Sequence, residues 1–192
     1  MQFEAAKTFI IDKLKKELPD HLFYHSVNHI MDVYNASEIL AKEEKINDYD
    51  IILLLTAALF HDSGFLVQQK DHEKISCEIA RAHLPSFGYN DEDIEKICGM
   101  ISATKVPQNP QNHLGQIICD ADLDYLGRDD FFAIGNKLFT ELSLYGIIRN
   151  ENEWNNLQIR FLESNTYFSD SAKRLRKDKK QEHLELIKSK IV

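Results

Sequence analysis

The sequence predicts an all-α fold, and three observations carry that expectation. Apolar residues recur at helical spacing in nearly every segment. Alternation of β-branched with polar residues, the mark of half-buried strands, is hardly present. The four prolines and seven glycines fall where periodic segments end.

Taken in order, Phe3, Phe9, Ile10, Leu14 and Leu18 follow helical spacing, and Pro19 closes that segment. A second helix is expected over about residues 26–45, with Ile30, Val33, Tyr34 and Ile39 near one face. Asn47 or Asp48 can cap a third, residues 49–61, which is apolar nearly all round and therefore central. Gly64 suits a left-handed exit from it. Asp71 or a neighbour starts a fourth helix through Ile75, Ile79 and Leu84, stopped by Pro85 and Gly88. Asn90 supplies a capping side chain, and Asp91, Glu92 and Asp93 then place carboxylates at the positive end of the helix dipole. That fifth helix carries Ile94, Ile97, Met100 and Ile101 before Pro107 and Pro110. Helices resume near Gln111 and at Asp129, and the last two cover about residues 151–166 and 169–191.

The 192 residues suffice for one domain with a real core and fall short of two full-sized ones, so residues 1–192 read as a single unit. Hydrophobic residues at 43% and charged residues at 28% fit a soluble globular chain. The only long apolar run, residues 51–60, is about half of a membrane-spanning helix, and the N-terminus lacks a signal pattern. A cytoplasmic protein without membrane attachment is the expectation. Three cysteines without CxxC spacing (Cys77, Cys98 and Cys119) argue against a disulfide framework and read as small buried hydrophobes. A net charge of −8 disfavours general nucleic-acid binding. One basic segment, residues 173–180 (KRLRKDKK), runs against that trend and reads as a solvated helix face before a phosphate-binding patch.

His61 and Asp62 adjoin at the end of the most apolar helix. Desolvating both costs several kcal/mol unless a partner compensates, and a metal ion satisfies an imidazole and a carboxylate together. For a bare pair, a hydrogen-bonded core histidine and a capping aspartate is the ordinary alternative. Two further features change the weighing. In YHSVNH, His25 and His29 stand four apart and share a helical face. In IICDADLD, Asp120, Asp122 and Asp124 sit in an apolar context; Asp120 and Asp124 share a face while Asp122 points elsewhere.

With these residues in order, the sequence resembles the HD-domain phosphohydrolase superfamily over roughly residues 24–131. The matching elements are His29 in YHSVNH, His61 and Asp62 in ALFHDSG, and Asp122 in CDADLDYLG. The resemblance implies a helical bundle of the HD-domain type, with additional C-terminal helices over about 132–192. It implies that His29, His61, Asp62 and Asp122 hold one divalent metal ion. Two nitrogens with two carboxylates suit Mn, Fe, Co, Ni, Zn or Mg. Such an ion polarises a phosphoryl oxygen and lowers the pKa of bound water. The implied activity is hydrolysis of a phosphomonoester or phosphodiester of a nucleotide or similar small molecule, with His25 and Asp122 catalytic. His25 resembles the proton donor of the cyclic-nucleotide phosphodiesterase branch, a role open to an imidazole; a structural role is the competing reading. Asp120 and Asp124 are candidates for orienting the ligands by hydrogen bonds.

Elsewhere the pattern thins. His72 resembles the first of the extra histidines that dinuclear members carry, but the next helix, MISATK, has no second. A complete second metal site is therefore not expected. His72 and Lys105 are candidates for binding substrate phosphate, against the plainer reading of surface residues. Phe65 stands where many relatives place a lysine or an acid, which removes any ground for transferring a particular substrate. His83 and His113 match no ligand position, and Trp154, Phe161, Tyr167 and Phe168 read as core packing. Two other functions stay open: a catalytically silent metal- or ligand-binding regulatory module, and a di-iron oxygenase of the same superfamily. Phosphatase silence across a broad panel would mark the first, and two metals per chain the second.

Overall fold

The computed structural model describes residues 1–191, and among them nine α-helices and no strand are present. The helices are α1 (Phe3–Glu17), α2 (Val27–Glu43), α3 (Asp48–Phe60), α4 (His72–His83), α5 (Asp91–Ala103), α6 (His113–Asp122), α7 (Phe131–Leu144), α8 (Glu151–Ser164) and α9 (Asp170–Lys188). Short 3₁₀ turns follow α3, α4 and α6, at Ser63–Leu66, Leu84–Phe87 and Asp124–Gly127.

Local chemistry sets the starts. Side-chain oxygens of Asn47, Asn90, Asn112, Asn150 and Ser169 accept from backbone N–H groups at the beginnings of α3, α5, α6, α8 and α9. Each satisfies a donor that the helix itself leaves free. The observed bounds lie within a few residues of those expected.

Leu53 to Phe60 of α3 are buried without interruption, as a centrally placed helix requires. The apolar stretch Asp48–Leu66 is long and apolar enough to cross a membrane by length and composition, yet most of it is covered by the surrounding helices. Two cores result. One joins α1 to α6 through Leu14, Ile30, Leu40, Leu54, Phe60 and Ile97. The other joins the C-terminal helices through Leu126, Phe131, Leu162, Leu184 and Ile187, and it includes Tyr24. Full burial of each large aliphatic or aromatic side chain contributes about 1.5–3 kcal/mol.

Gly64 differs from expectation. Its φ is not in the left-handed region, which the glycines Gly88 (φ 76°) and Gly146 (φ 69°) occupy. Gly64 is needed because a Cβ there would lie 2.0 Å from the His72 carbonyl oxygen. The turn after α3 thus presses directly on the start of α4. At Gly127 a Cβ would lie 2.4 Å from the Arg176 carbonyl, so α9 crosses the Asp124–Gly127 turn at backbone contact.

The basic segment is tied inward. Arg176 pairs with Asp124 (Nε to Oδ1, 2.7 Å), Arg174 with Glu43 and Lys179 with Asp129, while Lys173 and Lys180 donate to the Phe168 and Asn165 carbonyls. The three cysteines are free and buried.

Candidate metal centre and its cavity

Three elements bring the expected ligands together. α2 presents His29 one turn inside its start, the end of α3 presents His61 and Asp62, and the last residue of α6 is Asp122. One ligand atom from each of His29, His61 and Asp122 lies within 4.8 Å of the others. His29 Nε2 is 3.1 Å from Asp122 Oδ1 and 3.4 Å from Asp62 Oδ2. His61 Nε2 is 3.2 Å from Asp62 Oδ2, 3.6 Å from Asp122 Oδ1 and 3.4 Å from His29 Nε2.

The donor set fits a cation. His61 Nδ1 donates to the Ala58 carbonyl at 2.8 Å, which leaves the lone pair of a neutral ring on Nε2. That lone pair faces carboxylate oxygens. Asp62 Oδ2 is buried and makes no hydrogen bond, although two imidazole nitrogens stand within 3.4 Å. An orphaned buried carboxylate oxygen is costly, and a positive ion among these four side chains removes the cost.

Without an ion, a proton takes its place. Burial pushes His61 down, but the Asp62 and Asp122 carboxylates outweigh it and raise His61 well above the usual imidazole range. Burial pushes Asp62 up, and His61 and His72 more than reverse it, holding Asp62 well below the usual carboxylate range. Asp122 is likewise lowered against its burial, by His29 and His61, to about 2. An ion held by these residues would displace that proton, and its binding would weaken as pH falls.

His25 stands beside this cluster, tied to a residue that sequence reasoning missed. Its Nδ1 and Glu141 Oε1 are hydrogen-bonded, and Glu141 Oε2 accepts from the backbone N–H of Tyr24 at 2.8 Å and of His25 at 3.2 Å. Glu141 lies on α7, fully buried. The His25 ring also stacks on Phe65, with centroids 4.2 Å apart. Phe65 in turn packs on His72, so the residue that departs from the family pattern spaces two histidines. Burial pushes Glu141 up, while its bonds to His25 and the two N–H groups override this and lower it. Its stabilising contribution is therefore present above the ordinary glutamate range near pH 4 and is lost as pH falls through the lower folded value. Glu141→Gln is expected to cost about 2 kcal/mol at pH 7, from weakened charge-assisted bonds. The difference from wild type should shrink below pH 4. Urea unfolding at both pH values checks this, and a difference that grows on acidification would refute it.

The remaining expected residues divide. His72 Nε2 lies 3.3 Å from Asp62 Oδ1, so His72 touches the cluster rather than solvent alone. Lys105 pairs with Asp71 at 2.7 Å on the rim of the same cavity. Asp120 and Asp124 do not orient the ligands. Asp120 accepts from Ser169 N at 2.7 Å, Ser169 Oγ at 2.6 Å and Phe168 N at 2.8 Å, anchoring the start of α9. Asp124 binds Arg176 and Arg128. Asp120 faces away from Asp122 because residues two apart on a helix diverge by about 200°, and Asp124 begins the turn after α6. His83 rests on Phe9 and His113 pairs with Glu44, in keeping with their local roles.

A cavity of about 490 Å³ opens from the cluster, bordered by His25, His29, Asp62, His72, Lys105 and Asp122 at one end. Its far end lies against α7 and α8, where Trp154 and Phe161 line it. These two aromatics are therefore cavity walls as well as packing, and α8 forms part of the pocket instead of merely covering the bundle.

The all-α bundle thus brings two histidines and two aspartates together beside an open cavity, as a metal-binding domain requires. The HD domain model matches residues 26–124, just over half of the chain, and the chain belongs to the HD domain family. An uncharacterised protein of Clostridium beijerinckii is 30% identical over 93 residues, 46% of this chain; the match spans about 59% of that relative's length. The fold is similar to that of a predicted HD superfamily hydrolase from an uncultured Thermotogales bacterium (TM-score 0.65, 20% identity, 95% of this chain and 89% of that one). It is also similar to Bacillus subtilis YpgQ in complex with ADP (TM-score 0.66, 19% identity, 96% and 94%) and to a Lactobacillus plantarum protein (TM-score 0.68, 19% identity, 98% and 96%).

Proposed function

We propose that this protein hydrolyses a phosphomonoester or phosphodiester of a nucleotide or similar small molecule, using one divalent ion. The observation that carries this reading is the partnerless, buried Asp62 Oδ2 among His29, His61 and Asp122, at the end of a cavity large enough for a small molecule. YpgQ, which shares the fold, was crystallised with ADP, and this supports the nucleotide part.

His29, His61, Asp62 and Asp122 would hold the ion. When bound, it supplies Lewis acidity toward a phosphoryl oxygen and a water of lowered pKa. The chain does the rest. His61 is fixed as an Nε2 ligand by Ala58, and Asp122 closes the set from α6. His72 and Lys105 place positive charge along the cavity for the phosphate. His25 hands its Nε2 proton to the departing oxygen, while Glu141 holds Nδ1 and steadies the imidazolium. Burial, Tyr125 and Asp122 together keep Tyr24 protonated, so it adds no negative charge beside the phosphate.

The test is a phosphoester panel run on Mn-loaded wild type and His25→Ala. Turnover of at least one phosphoester, falling about 10²-fold or more in the variant at unchanged metal content, is the expected result. No turnover across mono- and diesters of nucleotides would end the hydrolase reading. Full activity in His25→Ala would end the assignment of the proton donor.

A further inference from the structure

Away from the ligand cluster the cavity changes character. Between α7 and α8 its walls are Leu126, Phe131, Leu138, Trp154, Leu157 and Phe161. One polar side chain interrupts them. Gln158 is 9% exposed, and its only side-chain bond is Nε2 to Asn155 Oδ1 at 3.5 Å, the outer limit of a hydrogen bond. Among the described residues nothing donates to its Oε1.

Opposite it, α7 carries Gly135. A Cβ there would stand 3.5 Å from Gln158 Oε1 and 3.7 Å from Trp154 Cζ2, which is ordinary contact. The helix therefore does not need glycine for its own packing. Gly135 instead lets α7 approach the indole and the amide closely, and the apolar slot of the cavity opens beside this contact, with Gly135, Trp154 and Gln158 on its wall.

Resting on the phosphoester reading, we propose that this slot receives the heteroaromatic ring of the substrate, a nucleobase. Trp154 and the leucines cover the ring, and Gln158 reads its edge. A carboxamide offers a donor and an acceptor side by side. Purine and pyrimidine rings carry the complementary adjacent pair. An alkyl chain would fill the same apolar volume but leave Gln158 unsatisfied, and that difference favours a base over a lipid-like group.

Nucleosides test the slot independently of hydrolysis, because they carry the base and no phosphate. Adenosine, guanosine, cytidine and uridine, with 1-octanol as the alkyl control, would be titrated calorimetrically into wild type, Gly135→Leu and Gln158→Leu. At least one nucleoside should bind wild type with a Kd below about 1 mM, and Gly135→Leu should weaken it about tenfold or more. Gln158→Leu should reduce the discrimination among bases, with metal content unchanged in all three proteins. If the leucine variant at position 135 does not fold, Gly135→Ala keeps the test alive with a smaller loss. No nucleoside binding, binding indifferent to position 135, or preference for octanol would overturn the proposal. Nucleoside binding without phosphoester turnover would sink the hydrolase reading alone, and turnover without base binding would sink the slot alone.

Discussion

Asp62→Ala is expected to leave the purified protein with less than about a tenth of the wild-type metal, the wild type holding about one ion per chain. Asp62 supplies the oxygen that has no hydrogen-bond partner among the described residues, and it lies within 3.4 Å of both imidazoles. Removing it leaves two neutral nitrogens and one carboxylate, and it takes away much of the charge that holds a divalent cation. Elemental analysis reads the loss directly. Thermal unfolding gives a second readout. An ion at a hundred times its Kd stabilises the wild type by about 2.7 kcal/mol, and the variant should show no shift on addition of Mn or Ni. Metal retention equal to wild type would mean that the ion, if bound, sits elsewhere. Two ions in the wild type would instead favour a dinuclear centre that includes His72.

The second large effect is expected at a residue that never touches the ion. Asp124 is 3% exposed and accepts from Arg176 Nε at 2.7 Å, Arg176 Nη2 at 3.1 Å and Arg128 Nη1 at 3.2 Å. Breaking a buried ion pair from one side costs about 3–5 kcal/mol, because the remaining charge stays desolvated. Arg128 keeps Asp32 and Asp130, which places Asp124→Ala near the lower end of that range, about 3 kcal/mol. Asp124→Asn should lose less, since the amide oxygen still accepts one bond. Urea unfolding measures both. A loss below about 1 kcal/mol would show that Arg176 finds water once freed, and that the α9 contact at Gly127 carries the packing by itself.

The candidate ligands were legible partly from local chemistry, at His61 and Asp62, and partly from the family resemblance that singled out His29 and Asp122. An ionisable pair ending a wholly apolar helix contradicts its surroundings, and Asp122 was set apart from Asp120 and Asp124 by helical phase. Caps at Asn47 and Asn90 were readable for the same reason, as each motif is complete within four residues. Glu141 was not readable. It acts on Tyr24 and His25 from more than a hundred residues away, and ELSLYG looks like a solvated helix end. Gly64 was read for the wrong property, because a close approach to His72 is a fact about α4 and not about the glycine's neighbours. Trp154 and Phe161 were read as packing, since a wall facing a cavity and a wall facing another side chain have the same composition. Asp120 and Asp124 were read as orienting the ligands but serve α9, a partner that only tertiary structure could supply.

The division into two cores also matters for how such a protein changes over time. The ion's ligands ride on α2, α3 and α6 of the first core, while Gly135, Trp154 and Gln158 ride on α7 and α8 of the second. Substitutions in one half need not disturb packing in the other. Under the proposed base slot, selectivity could therefore be redirected in the laboratory by randomising α8, with Glu141 of α7 kept for His25 and the candidate ligands on α2, α3 and α6 left in place.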